Sequence, residues 1–197
     1  MDPANPITKA FQIIEHAAID ESIQDFVRDL KATQHGDRTN PVYDYLKDYH
    51  KEGSVWRHTL LTLDSLPSVL SVLGYPNWGS YAAKYSNDLR SAALYHDIGK
   101  IVTQQPSTTR SGSYSFPDHA AHQIVVGLLR RYDLTPSSLA IDLITHHHNS
   151  PEQFATLGWP DYKKALLIIL KAADNMAVGP RSAEEALVHV KPFMEKM

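Results

Sequence analysis

Eleven histidines in 197 residues are the first place to look for chemistry. Imidazole is the commonest protein metal ligand, and it titrates near neutral pH. Five of the eleven fall in two short clusters, His119 with His122 and His146-His147-His148. Others stand at the ends of apolar stripes. Leu89, Ala92 and Ala93 lead to His96 and Asp97; Leu139 and Leu143, or Ala140 and Ile144, lead to His146 or His147; Leu167 and Leu170 lead to Asp174. His58 follows Val55 and Trp56 in the same way. A polar group carried toward an apolar interior must find partners there, and one shared divalent metal would satisfy several at once. Mixed imidazole and carboxylate donors suit Mn, Fe, Ni, Co or Zn, with Mg also admissible.

Taken singly, each of these residues has a plainer reading. An imidazolium at a helix C-terminus is favoured by the helix dipole, and a buried aspartate can serve a salt bridge. With this many His and Asp, roughly one His-Asp pair arises by chance. His16, His35, His50 and His189 are read as surface or structural residues. Only the combined order of the others carries weight.

The elements that must position them are helices, and the fold class read from the chain is all-α. Residues 7–31 carry apolar positions at helical spacing among charges, and a tyrosine-rich helix is expected over about 42–51. From Gly53 the spacing predicts a helix from Val55 to Leu66 stopped near Pro67, and another from Tyr81 to Asp97 closed by Gly99 as a C-terminal glycine. The stretch 103–116, rich in Ser, Thr, Gly and Gln, reads as an exposed loop and is the element best placed to act as a lid. Pro117-Asp118 opens a helix to Arg131. Thr135 as N-cap and Pro136 as first helical residue open one that runs to the triple histidine. Residues 161–176 form a helix that is wholly apolar over Ala165–Leu170, hence central and buried. Ser182 with Glu185 makes a capping box for the last helix. The expected organisation is a helical N-terminal extension (1–52) packed on the core, a main unit (53–180) and a C-terminal helix (181–197).

Composition narrows the function. Hydrophobic residues make 43% and charged residues 21% of the chain, with a formal charge of −3. The acid excess sits in residues 1–52, with 10 acids and 6 bases, whereas 53–197 hold 12 acids and 13 bases. That balance argues against coating duplex nucleic acid by bulk electrostatics. The absence of cysteine excludes disulfides, thiolate-bound zinc or iron–sulfur sites, and a cysteine nucleophile. No apolar run is long enough to cross a bilayer, and no signal-peptide pattern opens the chain, so a soluble cytoplasmic protein with no membrane partner is expected. The phosphate loop GxxxxGK[ST], the GxGxxG fingerprint, the GxSxG elbow and HExxH are all missing.

The order His58, His96-Asp97, His119, His146-His147, Asp174 resembles the HD superfamily of metal-dependent phosphohydrolases. Val55-Trp56-Arg57-His58-Thr59-Leu60, with Leu63-Asp64 after it, is similar to the first-histidine motif in the HD domain of bacterial tRNA nucleotidyltransferases. Ala92-Ala93-Leu94-Tyr95-His96-Asp97-Ile98-Gly99-Lys100 is similar to the family's AALxHDxGK. Phe116-Pro117-Asp118-His119 resembles the third motif and Lys171-Ala172-Ala173-Asp174 the last. The resemblance covers about residues 53–178.

It implies that His58, His96, Asp97 and Asp174 hold one divalent metal. His119 and His147, or His146, would hold a second, with Asp97 bridging; helical phase permits either histidine, and local similarity leans to His147. Asp97, Lys100 and His122 are the catalytic candidates, Lys100 being placed to meet a phosphate oxygen. Arg57, His122 and His148 are weaker candidates for that work. Two departures narrow the branch. The 5′-deoxynucleotidases carry a glutamate where this chain has Lys100, and the cyclic-di-GMP branch follows its paired histidines with Gly-Tyr-Pro, where this chain has Asn149-Ser150-Pro151. With no nucleotidyltransferase motif read ahead of it, a free-standing HD unit is expected. The resemblance therefore implies hydrolysis of a nucleotide or other small phosphoester by metal-activated water, with nucleic acid a partner only as substrate. An HD-type single-strand nuclease, like that of CRISPR interference, is the second reading, and a non-catalytic nucleotide sensor the third. The oligomeric state is left open.

Overall fold

Residues 21–33, 54–103, 118–178 and 182–197 are described by the structure, a computed structural model. Among them the secondary structure is helical, with no β-strand. In chain order the helices are α1 (Glu21–Ala32), α2 (Val55–Leu73), α3 (Pro76–Lys84), α4 (Ser86–Tyr95), α5 (Lys100–Thr103), α6 (Asp118–Arg131), α7 (Ser138–His146), α8 (Pro151–Thr156), α9 (Asp161–Ala177) and α10 (Ala183–Met194). The all-α class stands.

The apolar run in α9 sets the centre. Leu166 to Leu170 are each fully buried, and burial of one such side chain stabilises by roughly 1.5–3 kcal/mol. Around α9 pack α2, α3, α4, α7 and α10. On the far side α1 lays Phe26 and Leu30 into the same core. The helix expected over 42–51, most of the loop expected over 103–116 and most of the extension before α1 lie outside the described residues; Thr103 is the last residue of α5.

Several expected boundaries shift. Pro67 does not stop α2 but sits inside it. A proline lacks one donor and crowds the preceding turn, yet Pro67 is exposed while Leu66, Val69 and Leu73 are buried, so core contact carries the helix past it. The end comes at Gly74, whose φ of 64° is left-handed. The single helix expected over 81–97 is two, α3 and α4, parted at Tyr85, whose ring stacks on Tyr162 of α9 at 4.8 Å. Gly99 is not a left-handed cap, since Gly74 is the positive-φ glycine among the described residues. Instead α4 ends at Tyr95, and His96–Gly99 form a tight turn closed by Ile98 N–H to Tyr95 and Lys100 N–H to Asp97, both at 3.0 Å. The N-cap of α7 is Ser137, accepting from Ala140 N at 3.1 Å, rather than Thr135. The short α8 was not expected, although Ser150 and Gln153 form its capping box. The Ser182–Glu185 box is present as read.

These helices bring four helix ends together: the first turn of α2, the turn after α4, the turn after α7 and the last turns of α9.

Candidate metal centre

His58 enters from the first turn of α2, an N-terminus capped by Ser54, whose side chain accepts from Arg57 N at 3.2 Å. The ring is fully buried, and Nε2 donates to Asp174 Oδ1 at 2.8 Å. His96 and Asp97 come from the turn after α4, both 3% exposed. Nε2 of His96 lies 3.4 Å from Asp97 Oδ2 and 3.6 Å from Asp174 Oδ1. Asp97 Oδ2 is 3.8 Å from His58 Nε2. His58, His96 and Asp97 thus offer donor atoms within 4.8 Å of one another, and Asp174 Oδ1 lies against both histidines. Donors each about 2.1 Å from a shared cation stand about 3.0–3.5 Å apart, depending on coordination angle. The observed separations bracket that range, so the residues fit a divalent metal.

The ring orientations fit as well. Nδ1 of His96 donates to the Ala93 carbonyl at 2.8 Å, and Nδ1 of His147 to the Ile144 carbonyl at 2.6 Å. A main-chain bond of this kind selects the tautomer whose other nitrogen is a ligand. Nε2 of His96 and Nε2 of His147 are buried with no hydrogen-bond partner among the described residues. Orphaned buried polar atoms of this sort are expensive unless a ligand meets them.

Charge makes the same demand. Burial opposes charging His96, but Asp97 and Asp174 overcome it and raise the ring to about 10. Burial pushes the Asp174 carboxyl up, and the bonds from His58 and His96 outweigh it, leaving the group well below the usual carboxylate range. Burial, then the neighbouring His148 and His96, hold His147 neutral, far below its ordinary value. The two carboxylates therefore draw positive charge toward them, which Lys100 on Asp97 Oδ2, a proton on His96 or a divalent ion can supply.

The family model described as HD domain matches residues 70–179. That span is more than half of the chain. This chain belongs to the HD domain family. No curated protein and no solved structure matches it. The family match covers every candidate ligand except His58, which the geometry brings in through Asp174. It is a match to HD domains in general and does not single out those of tRNA nucleotidyltransferases. HD domains are in general metal-dependent hydrolases, and the buried His/Asp cluster of this one could hold a divalent ion.

A second group adjoins the first. Asp97, His147 and His148 offer donor atoms within 4.8 Å of one another, as do His58, His96 and Asp97, so Asp97 is common to both. His147 is buried with its ring 5.3 Å from that of His96, and the rings of His147 and exposed His148 are 3.8 Å apart. His146 is turned elsewhere: its Nδ1 donates to the Asp142 carbonyl at 2.8 Å and its ring meets Trp159 edge-on at 4.8 Å. His119 lies in the first turn of α6, but its side chain is outside the described residues. His122 is exposed and bonds Thr145 Oγ1 at 3.4 Å. Lys100 reaches back one turn to Asp97 Oδ2 at 2.7 Å, and Arg57 is exposed.

Two residues gain importance over their reading in the sequence. His148, a weaker phosphate candidate there, stands in the second donor group. Lys171, quoted only as part of a motif, is 8% exposed and donates to the carbonyls of His147 and Asn149. The signal was present: one lysine interrupts the apolar run Ala165–Ala173.

No described helix is long and apolar enough to cross a membrane.

Proposed function

We propose that this HD-domain protein is a metal-dependent phosphohydrolase or phosphodiesterase acting on a nucleotide or other small phosphoester. The observation that carries this reading is the clustering of His58 and His96 with Asp97 and Asp174 at N···O separations of 2.8–3.8 Å, the first three residues being buried. His58, His96, Asp97 and Asp174 would hold one ion, and Asp97 with His147 and His148 a second, His119 being a further candidate for it. The ion would supply Lewis acidity, making water a nucleophile near neutral pH and offsetting charge that builds at phosphorus. The protein supplies the rest. Main-chain bonds to the Nδ1 atoms fix the rings of His96 and His147 before substrate arrives, which is the preorganisation that makes electrostatic stabilisation effective. Lys100, bonded to Asp97 at the edge of the cluster, would be the group to meet a phosphate oxygen. His122 would be a further, weaker contact for the phosphate.

The test is elemental analysis of purified, untagged protein beside Asp97→Ala, followed by assays of cyclic and linear nucleotides and of circular single-stranded DNA with the metal found. Bound transition metal that is lost in the variant, with turnover of a small phosphoester, is the expected result. Degradation of the circular DNA would move the reading to a nuclease. No metal after reconstitution with Mn or Fe would sink the catalytic reading.

A further inference from the structure

Lys171 is a buried charge inside α9, the helix at the centre of the core. Its neighbours Leu170, Ala172 and Ala173 are fully buried, and an ion in such surroundings costs several kcal/mol unless well partnered. Its partners are specific. Nζ donates to the main-chain carbonyls of His147 and of Asn149, the latter at 3.0 Å, and sits 4.4 Å from the ring centre of Phe193 on α10. These carbonyls belong to the turn that ends α7, where helix geometry leaves acceptors without intrahelical donors and gathers negative dipole. His148 lies between the two strapped carbonyls. His147 is held twice, by its own carbonyl and by its Nδ1 bond to Ile144. One turn further along α9 stands Asp174, bonded to His58. A single turn of α9 therefore supplies a carboxylate to one donor group and a clamp to the backbone of the other.

We propose that Lys171 is a positioning residue: by fixing the main chain on both sides of His148 it aims His147 and His148 at Asp97, and so sets metal affinity at the second group without touching the first. The inference rests on the metal-binding reading above. Phe193, over the ammonium, closes the clamp from α10.

The experiment is Co(II) titration of the full chain, with bound equivalents and the ligand-field spectrum recorded for wild type, Lys171→Met, Lys171→Arg and Phe193→Leu. Wild type should take up two equivalents. Lys171→Met should keep the first with its spectrum unchanged and bind the second 10- to 100-fold more weakly, the range typical of losing a supporting partner. Lys171→Arg, which retains donors, should recover part of that loss, and Phe193→Leu should show a smaller loss in the same direction. A wild type and a Lys171→Met that both bind two equivalents alike overturns the inference and leaves the phosphohydrolase reading intact. Loss of both equivalents together in Lys171→Met overturns it too, since the effect would then be general. A wild type with one equivalent removes the second group and this inference alone; a wild type with none removes the metal reading itself. Should Lys171→Met fail to fold, Lys171→Arg and Phe193→Leu decide, and unchanged second-site affinity in both overturns the proposal.

Discussion

At the scale of single residues, the centre is a problem of charge that the chain solves with histidines of different kinds. His58 and His96 face both carboxylates, whereas His147, held well below its ordinary pKa by burial, meets Asp97 from the other side together with His148. Asp97 is the residue common to both donor groups, so its loss should be the most damaging. Asp97→Ala is expected to lose bound metal and to lower turnover by more than about 100-fold, a figure already reached when only a supporting partner of a ligand is removed; elemental analysis and the rate with added metal check both. The adjacent histidines separate cleanly. His147→Ala should lose the second metal equivalent, while His146→Ala, which removes a ring packed on Trp159, should leave metal content unchanged. The reverse pattern in the two variants would show that the turn after α7 is set differently in solution. Much of this cluster was legible in the sequence because each member continues an apolar stripe. The choice between His146 and His147 was not, because helical phase permits either, and what distinguishes them is the tertiary contact with Trp159.

The helices that place these residues were legible wherever a local signal coincided with the apolar period. α6 and α9 fall close to their expected spans, and α10 begins at a capping box that needs only Ser182 and Glu185. The misreadings have a common cause: a local rule met a stronger contact from elsewhere in the chain. Pro67 is an effective helix breaker in isolation, but burial of Leu66, Val69 and Leu73 on the opposite face continues α2 past it. The break at Tyr85 has no glycine or proline to announce it; the stacking of Tyr85 on Tyr162 marks it, and that pairing is remote in sequence. The opposite case is Gly74, where the backbone requirement is local and strict. Its φ of 64° is a conformation that L side chains rarely adopt, although a Cβ there would meet nothing closer than the Val72 carbonyl at 3.7 Å. Gly74→Ala should therefore destabilise the protein by about 1–2 kcal/mol, from backbone strain alone. Chemical denaturation would read this as a lower midpoint at unchanged slope, and the metal content, set at the other end of α2, should not change.

At the scale of the whole molecule, α1 packs behind the metal centre. Phe26 packs edge-on against Tyr95, the residue before His96, at 5.3 Å, and against Tyr132 at 5.7 Å. Tyr132 in turn donates to Asp29 at 2.6 Å, joining α1 to the end of α6. That bond titrates at both ends. The bond from Tyr132, opposed by partial burial and aided by Arg28, holds the Asp29 carboxyl below its ordinary value. Such a group stabilises the fold above its unfolded value of about 3.9, and the contribution is lost as pH falls through the lower, folded value. Burial and then Asp29 raise the Tyr132 phenol to about 12, so its contribution fades as pH rises from about 10, where the unfolded chain begins to ionise. Tyr132→Phe keeps the ring against Phe26 and removes only the bond. Because Asp29 keeps 24% of its side-chain surface exposed, the cost at pH 7 should be about 1 kcal/mol, the lower part of the range for bonds to charged groups. Urea denaturation of the two proteins at several pH values should then show a stability difference that is largest between about pH 5 and pH 9, shrinks on the acid side as Asp29 protonates, and shrinks again on the alkaline side as the phenol ionises. A difference that stays constant down to pH 3 would mean that Tyr132 holds α1 through packing and not through Asp29.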